Sequence, residues 1–241
     1  MQVRGTTPVV GPVREESPPL DQMCGIDLTL VGGFQLRGTG GLIALPTGAE
    51  RLLAFLALRG VRLQRTYVAG ALWPDAPEAR ARANLRTVLW KLGGSHYPLV
   101  EAGREHLWLS PGVRVDLAEA TEVARRVVQD PDSASLRDCR CRGLFEDLLP
   151  DWYDEWLIFE RERFRDLRIH ALEAISERMA RLGRYGEAVH AGMAAVHAEP
   201  LRESAHRALI SAHIAEGNIE AGIRQFDVFQ RCLRDELGIA V

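Results

Sequence analysis

No apolar run in this chain approaches the length of a membrane span, and the amino terminus lacks the basic-then-apolar order of a secretory signal. A soluble, cytoplasmic protein with no membrane partner is expected. Cysteine is scarce. Cys24, Cys139, Cys141 and Cys232 are scattered, which fits a reducing compartment better than a disulfide scaffold. Cys139 and Cys141 form a C-x-C pair, but no second pair or histidine cluster accompanies it at metal-ligand spacing, so no metal site is expected. A glycine-rich phosphate loop, a G-x-S-x-G elbow and an H-E-x-x-H pair are all missing. The seven histidines fall mostly on helical patterns, and the acidic pair Asp154-Glu155 reads as a solvated face. These absences argue against an enzyme and against any cofactor.

What is present is an uneven distribution of charge. At 241 residues the chain is long enough for two compact domains. Residues 23–112 hold ten Lys/Arg against six Asp/Glu, whereas residues 113–241 hold 18 against 24. A net +4 followed by a net −6 is the balance of a polyanion-binding module joined to a protein-binding one. Residues 1–22, with four prolines and no apolar period, are expected to form a disordered arm. Met23 opens the first patterned segment and is an expected alternative translation start.

From Ile26 to Phe34 the residues alternate as a half-buried strand that breaks at Gly32-Gly33. Gln35–Arg37 and Leu42–Leu45 read as two further strands of a small antiparallel sheet. A helix is expected from Thr47 to Leu58, stopped by Gly60, and a second from a Thr66 cap to Trp73, stopped by Pro74. The stretch from Pro77 to Leu92 is a third. Leu85, Val88, Leu89 and Leu92 make one apolar stripe on it, Arg80, Asn84, Thr87 and Lys91 a second, with Arg82, Arg86 and Trp90 alongside. Glu78 is its only acid, placed where the helix dipole favours one. A helix anchored on one side and offering Arg, Asn and Thr on another has the chemistry to read base edges. Residues 97–111 then read as a β-hairpin with Ala102-Gly103-Arg104 at its tip. Sheet, three helices and hairpin in that order describe a winged helix-turn-helix.

The run from Leu52 to Gly94, and above all ALWPD followed by ARANLRTVLWKL, closely resembles the DNA-binding domain of the Streptomyces antibiotic regulatory protein (SARP) family, an OmpR-type winged helix. The resemblance spans about residues 25–112; the chain departs from it in carrying Glu105-His106-Leu107 where the wing usually ends in Gly-Tyr. It implies that Arg80, Asn84 and Thr87 face the major groove. Arg82, Arg86 and Lys91 are better placed for phosphates, which add affinity and salt dependence but little sequence information. Trp73 stands where this fold often offers an indole N–H to a phosphate, or else is a buried wedge under the second helix. Arg104 at the wing tip, and less directly His106, would reach the minor groove.

Asp116 is placed to cap a helix running to about Val128. A long helical pattern follows from about Asp151 to Leu182, with a break near Arg168 and with Trp152, Trp156, Phe159, Arg163 and Leu167 on one side. Gly183–Ala188 and Gly217–Ala221, 34 residues apart, match the turns of a tetratricopeptide repeat. Helix pairs are expected at about 170–182/185–198 and 202–216/219–236. The fold is therefore expected to be mainly α with a small β component. It comprises a winged helix over 23–112 and an all-α, tetratricopeptide-like half over 113–241, and the latter resembles the bacterial transcriptional activator domain that accompanies the former in the same family. The resemblance implies an activator of secondary-metabolite genes that binds direct repeats in double-stranded promoter DNA as two protomers. It also implies contact with RNA polymerase through the sigma factor and the alpha subunit's carboxy-terminal domain. The rivals are a helical-repeat scaffold and a repressor built on the same DNA-binding domain.

Overall fold

The computed structural model describes residues 25–94, 97–132, 135 and 137–238. The expected arm over 1–22, with Met23, Cys24 and His96, lies outside them.

Alternation in the first strand does what its spacing dictates. In β1 (Ile26–Thr29) Ile26 and Leu28 are buried while Asp27 and Thr29 are half-exposed. β1 pairs antiparallel with β2 (Gln35–Gly38), which pairs with β3 (Gly41–Leu42). The third strand is shorter than expected, although the Ile43 N–H still donates to the Leu36 carbonyl (2.8 Å). On its other side β1 runs parallel to β7 (Val113–Val115), giving the order β3-β2-β1-β7. Those three residues, expected beyond the first domain, thus complete its sheet.

Between β3 and β7 stand α1 (Thr47–Arg59), β4 (Leu63–Gln64), α2 (Arg65–Leu72), α3 (Glu78–Gly93), β5 (Val100–Ala102) and β6 (His106–Leu109). α1 is the central support: Leu52 to Leu56 are all buried, and Gly60 ends it in the left-handed region (φ 61°). Thr66 falls inside the first turn of α2 rather than capping it. β4, β6 and β5 form a second, three-stranded sheet, so the wing hairpin is anchored to the segment entering α2.

Among the described residues the second half comprises α4 (Asp116–Gln129), two single 3-10 turns (Asp138–Arg140 and Arg142–Leu144), α5 (Glu155–Arg181), α6 (Tyr185–Ala198), α7 (Glu203–Glu216) and α8 (Ile219–Leu237). Asp116 opens α4 but does not cap it. Its carboxylate accepts from the backbone N–H groups of Leu30 (2.8 Å) and Val31 (3.2 Å), tying α4 to the end of β1. Burial of that carboxyl raises its pKa, while those hydrogen bonds pull it back.

α5 corrects two expectations. It runs unbroken through Arg168, which is buried and ion-paired with Asp147. It also begins at Glu155, so Trp152 precedes the helix, and its buried stripe runs through Leu157, Phe164, Ile169, Leu172, Ile175 and Met179. Phe159 and Arg163 lie on the opposite side, Phe159 69% exposed. The two tryptophans find separate partners: Trp152 stacks on Phe34 (5.8 Å) and Trp156 meets Phe55 edge-on (5.2 Å).

The 34-residue period is visible in the turns. Gly183 and Gly217 both take positive φ (71° and 88°). Behind them the Arg184 N–H donates to Met179 and the Asn218 N–H to His213, each at 2.9 Å. Gly192 lets α6 approach α7 closely, since a Cβ there would sit 3.0 Å from the Leu209 Cα.

Two cores result, and one crosses the boundary between the halves. The first is built on α1 and the sheets, and takes in Leu148, Leu149, Leu157 and Phe164 from the second half. The second, from Val123 to Ala212, draws on the helical half alone. At the crossing, Leu149 is the only described non-glycine residue with positive φ (44°). Its N–H donates to the Leu30 carbonyl (2.9 Å), and Arg161 donates to the carbonyls of Leu148 and Trp152 (3.0 and 2.9 Å) on either side.

His206 ties α7 to α8. Its Nε2–H donates to the Pro200 carbonyl and its Nδ1 accepts from the Gln225 amide, both at 2.9 Å, and it stacks on Phe229. Burial lowers its pKa, against a smaller opposite pull from the Pro200 carbonyl. The unfolded chain therefore takes up a proton here before the folded one does. This contribution to stability is complete above the ordinary histidine value of about 6.5 and is lost as pH falls through it toward the folded value. Urea unfolding between pH 7.5 and 5.5 is expected to show His206→Gln losing less stability on acidification than the parent; equal losses would refute the assignment.

Candidate nucleic-acid interface

Each residue of α3 advances about 100° around its axis. Ala81, Leu85 and Leu92 are buried and Val88 and Leu89 half-buried against the first core, so this side is fixed. Directly opposite lie Ala83, Arg86, Thr87 and Trp90. Arg80, Asn84 and Lys91 occupy one flank, Arg82 the other. Arg80, Arg86, Thr87 and Lys91 are exposed and Asn84 half-buried.

The cations on this helix differ in what holds them. Arg82 reaches back to Glu78 at 3.4 Å, one turn away. Arg80, Arg86 and Lys91 have no carboxylate partner among the described residues. Arg80 lines a small cleft with Trp73, Asp154 and Glu155, but Asp154 is already engaged by Arg51 and the Trp156 indole. Among the described residues none of the α3 arginines is tied to the acidic half. The Thr87 hydroxyl donates to the Ala83 carbonyl (3.1 Å), and the residue is exposed.

Trp90 was given no role by the spacing, yet it is 79% exposed at the centre of the outward face. The signal was in the sequence: an indole among arginines, off the leucine stripe. With Ile43, Leu45, Pro46 and Tyr97 it lines an apolar groove at the carboxyl end of α3.

Trp73 ends α2 half-buried against the first core. The wing is braced from α2: the Arg65 N–H donates to the Glu105 carbonyl (2.8 Å) and its Nε to Gly103 (3.1 Å). Arg62 lies over the Trp108 ring at 4.4 Å. Arg104 is exposed at the tip, while His106 sits half-buried in β6. Thus α3 and the wing tip bring Arg80, Arg86, Thr87, Lys91 and Arg104 to the surface, with Asn84, Trp73 and His106 recessed.

No helix among the described residues is long and apolar enough to cross a membrane. No curated protein matches the sequence. Among solved structures, Mycobacterium tuberculosis EmbR, in complex with a low affinity phosphopeptide, is similar at a TM-score of 0.66 and 22% identity. The match covers 90% of this chain and 62% of that one, so the chain spans less than two thirds of EmbR and shares its fold. Residues 116–241, slightly more than half of the chain, match the bacterial transcriptional activator domain, and the protein belongs to that family of transcriptional regulators.

Proposed function

We propose that this protein is a sequence-specific DNA-binding activator of the SARP type. Two protomers occupy direct repeats in a promoter and recruit RNA polymerase through the sigma factor and the alpha subunit's carboxy-terminal domain. Secondary-metabolite biosynthesis genes in the same cytoplasm are the targets. The observation that carries this reading is the outward side of α3: a helix locked by its leucines, with three cations that have no carboxylate partner among the described residues. Arg80, Asn84 and Thr87 are assigned to base edges, where a good bidentate pair discriminates by about 1–3 kcal/mol. Arg86, Lys91, Trp73 and Arg104, with His106 behind, are assigned to the backbone, and Arg82, on the far flank and paired with Glu78, to a minor share of that contact.

Footprinting on the promoter beside the gene is expected to reveal a tandem repeat, and mobility shifts with Arg80→Ala and Thr87→Ala to lose preference for it. Undiminished preference would refute those base contacts. A helical scaffold with a vestigial first domain predicts no footprint at all.

A further inference from the structure

The helix α8 is buried on one side only, where Ala221, Gly222 and Phe229 face α7. A second stripe runs beside that side through Ile219, Ile223, Phe226, Gln230, Leu233 and Leu237, at intervals of four and three residues. Ile223 is 58% and Leu237 53% exposed, and Ile219 and Phe226 are exposed as well. Ile214 of α7, also exposed, stands against Gly222 and widens the patch. A four-three spacing sustained over the 19 residues of α8 marks a helix that packs along a coiled-coil seam, with Gln230 as the single polar layer.

We propose that the occupant is the same stripe of a second copy, the two α8 helices running antiparallel about a dyad. Charge decides the orientation. Glu220 and Arg234 flank the same edge of the stripe, fourteen residues apart. Pairing Ile219 with the partner's Leu237, Ile223 with the partner's Leu233 and Phe226 with the partner's Gln230 brings each Glu220 beside the partner's Arg234. Two reciprocal ion pairs follow from the symmetry. A parallel pair would set Gly222 opposite Asp227 and Phe229 opposite Arg234, with no charge match. In the single chain the one partner of Glu220 among the described residues is Arg224, one turn along and solvent-exposed, a weak pairing that is readily exchanged. The cost of the arrangement falls on Asp227, which approaches its own copy near the dyad.

A dyad also separates this contact from DNA reading. Direct repeats need both reading helices to run the same way, whereas a two-fold pair inverts one of them. The α8 dimer therefore joins copies on different sites, or copies off DNA, and is independent of the pair on one repeat.

Sedimentation equilibrium of the full chain without DNA tests this, with circular dichroism melts to verify that each variant folds. The parent should dimerise, and Ile223→Glu should weaken the dimer at least about 100-fold. Glu220→Arg and Arg234→Glu should each weaken it about tenfold, and the two together should restore it. Asp227→Asn should tighten it. Overturning results are a parent that is monomeric at every concentration, leaving the stripe to a helix of another protein; a dimer indifferent to Ile223→Glu; and a charge reversal that does not rescue.

Discussion

A fragment ending at Val115 is expected not to fold, although it contains every element of a winged helix. The first core is unfinished without Leu148, Leu149, Leu157 and Phe164, which come from beyond that point. Each large apolar side chain withdrawn from a core forfeits about 1.5–3 kcal/mol, so four approach the whole net stability of a domain, about 5–15 kcal/mol. Phe55 would also lose the edge of Trp156 and Phe34 the face of Trp152. Arg51 and Arg59 would lose Asp154 and Glu160, the latter buried. A fragment from Asp116 onward keeps its own core entire and should remain helical. The measurement is an amide NMR spectrum and a thermal melt of each piece. A dispersed spectrum and cooperative melt from the amino-terminal fragment would overturn the expectation. The corollary is mechanical: α3 and the helical half are held by shared packing and turn together.

What the sequence disclosed and what it concealed divide along the range of the interactions. The α3 stripes and the paired glycine turns at 183 and 217 were legible because a helix repeats its chemistry every three or four residues and a repeat domain every 34. β4 and β7 were not. They are two and three residues long, and their existence depends on β6 and β1 being delivered by distant chain. Asp116 shows the same limit: a local cap was the obvious reading, but folding brings the N–H groups of Leu30 and Val31 to its carboxylate. The aromatic side expected for α5 held only in part: Trp156 packs on Phe55, but Trp152 lies ahead of the helix, and the core takes the stripe through Leu157 and Phe164, which leaves Phe159 outward. At the interface, periodicity placed the arginines on the surface correctly. It could not say that the centre of that surface is Arg86, Thr87 and Trp90, because this depends on which leucines the core holds deepest.

That geometry fixes how variants of α3 should rank. Arg86→Ala with Lys91→Ala removes two cations that have no carboxylate partner among the described residues and should lower affinity for promoter DNA by about ten- to a hundredfold near physiological salt, reducing the log–log salt slope by nearly two. The loss should be alike for specific and unrelated duplexes, since phosphates carry no sequence. Arg82→Ala, on the far flank and already paired with Glu78, should change affinity no more than about threefold. Trp90→Ala should leave the melt unchanged, because little of that ring is buried, and should weaken binding only if the indole meets the duplex. Fluorescence anisotropy across a salt series, with a scrambled duplex beside the footprinted one, reads all of these together. Arg82→Ala matching the double variant would mean that the cations act as a diffuse cloud rather than from one face. A salt slope unmoved by losing Arg86 and Lys91 would mean that this face does not meet the phosphates, and the assignment of α3 as the reading helix would fail with it.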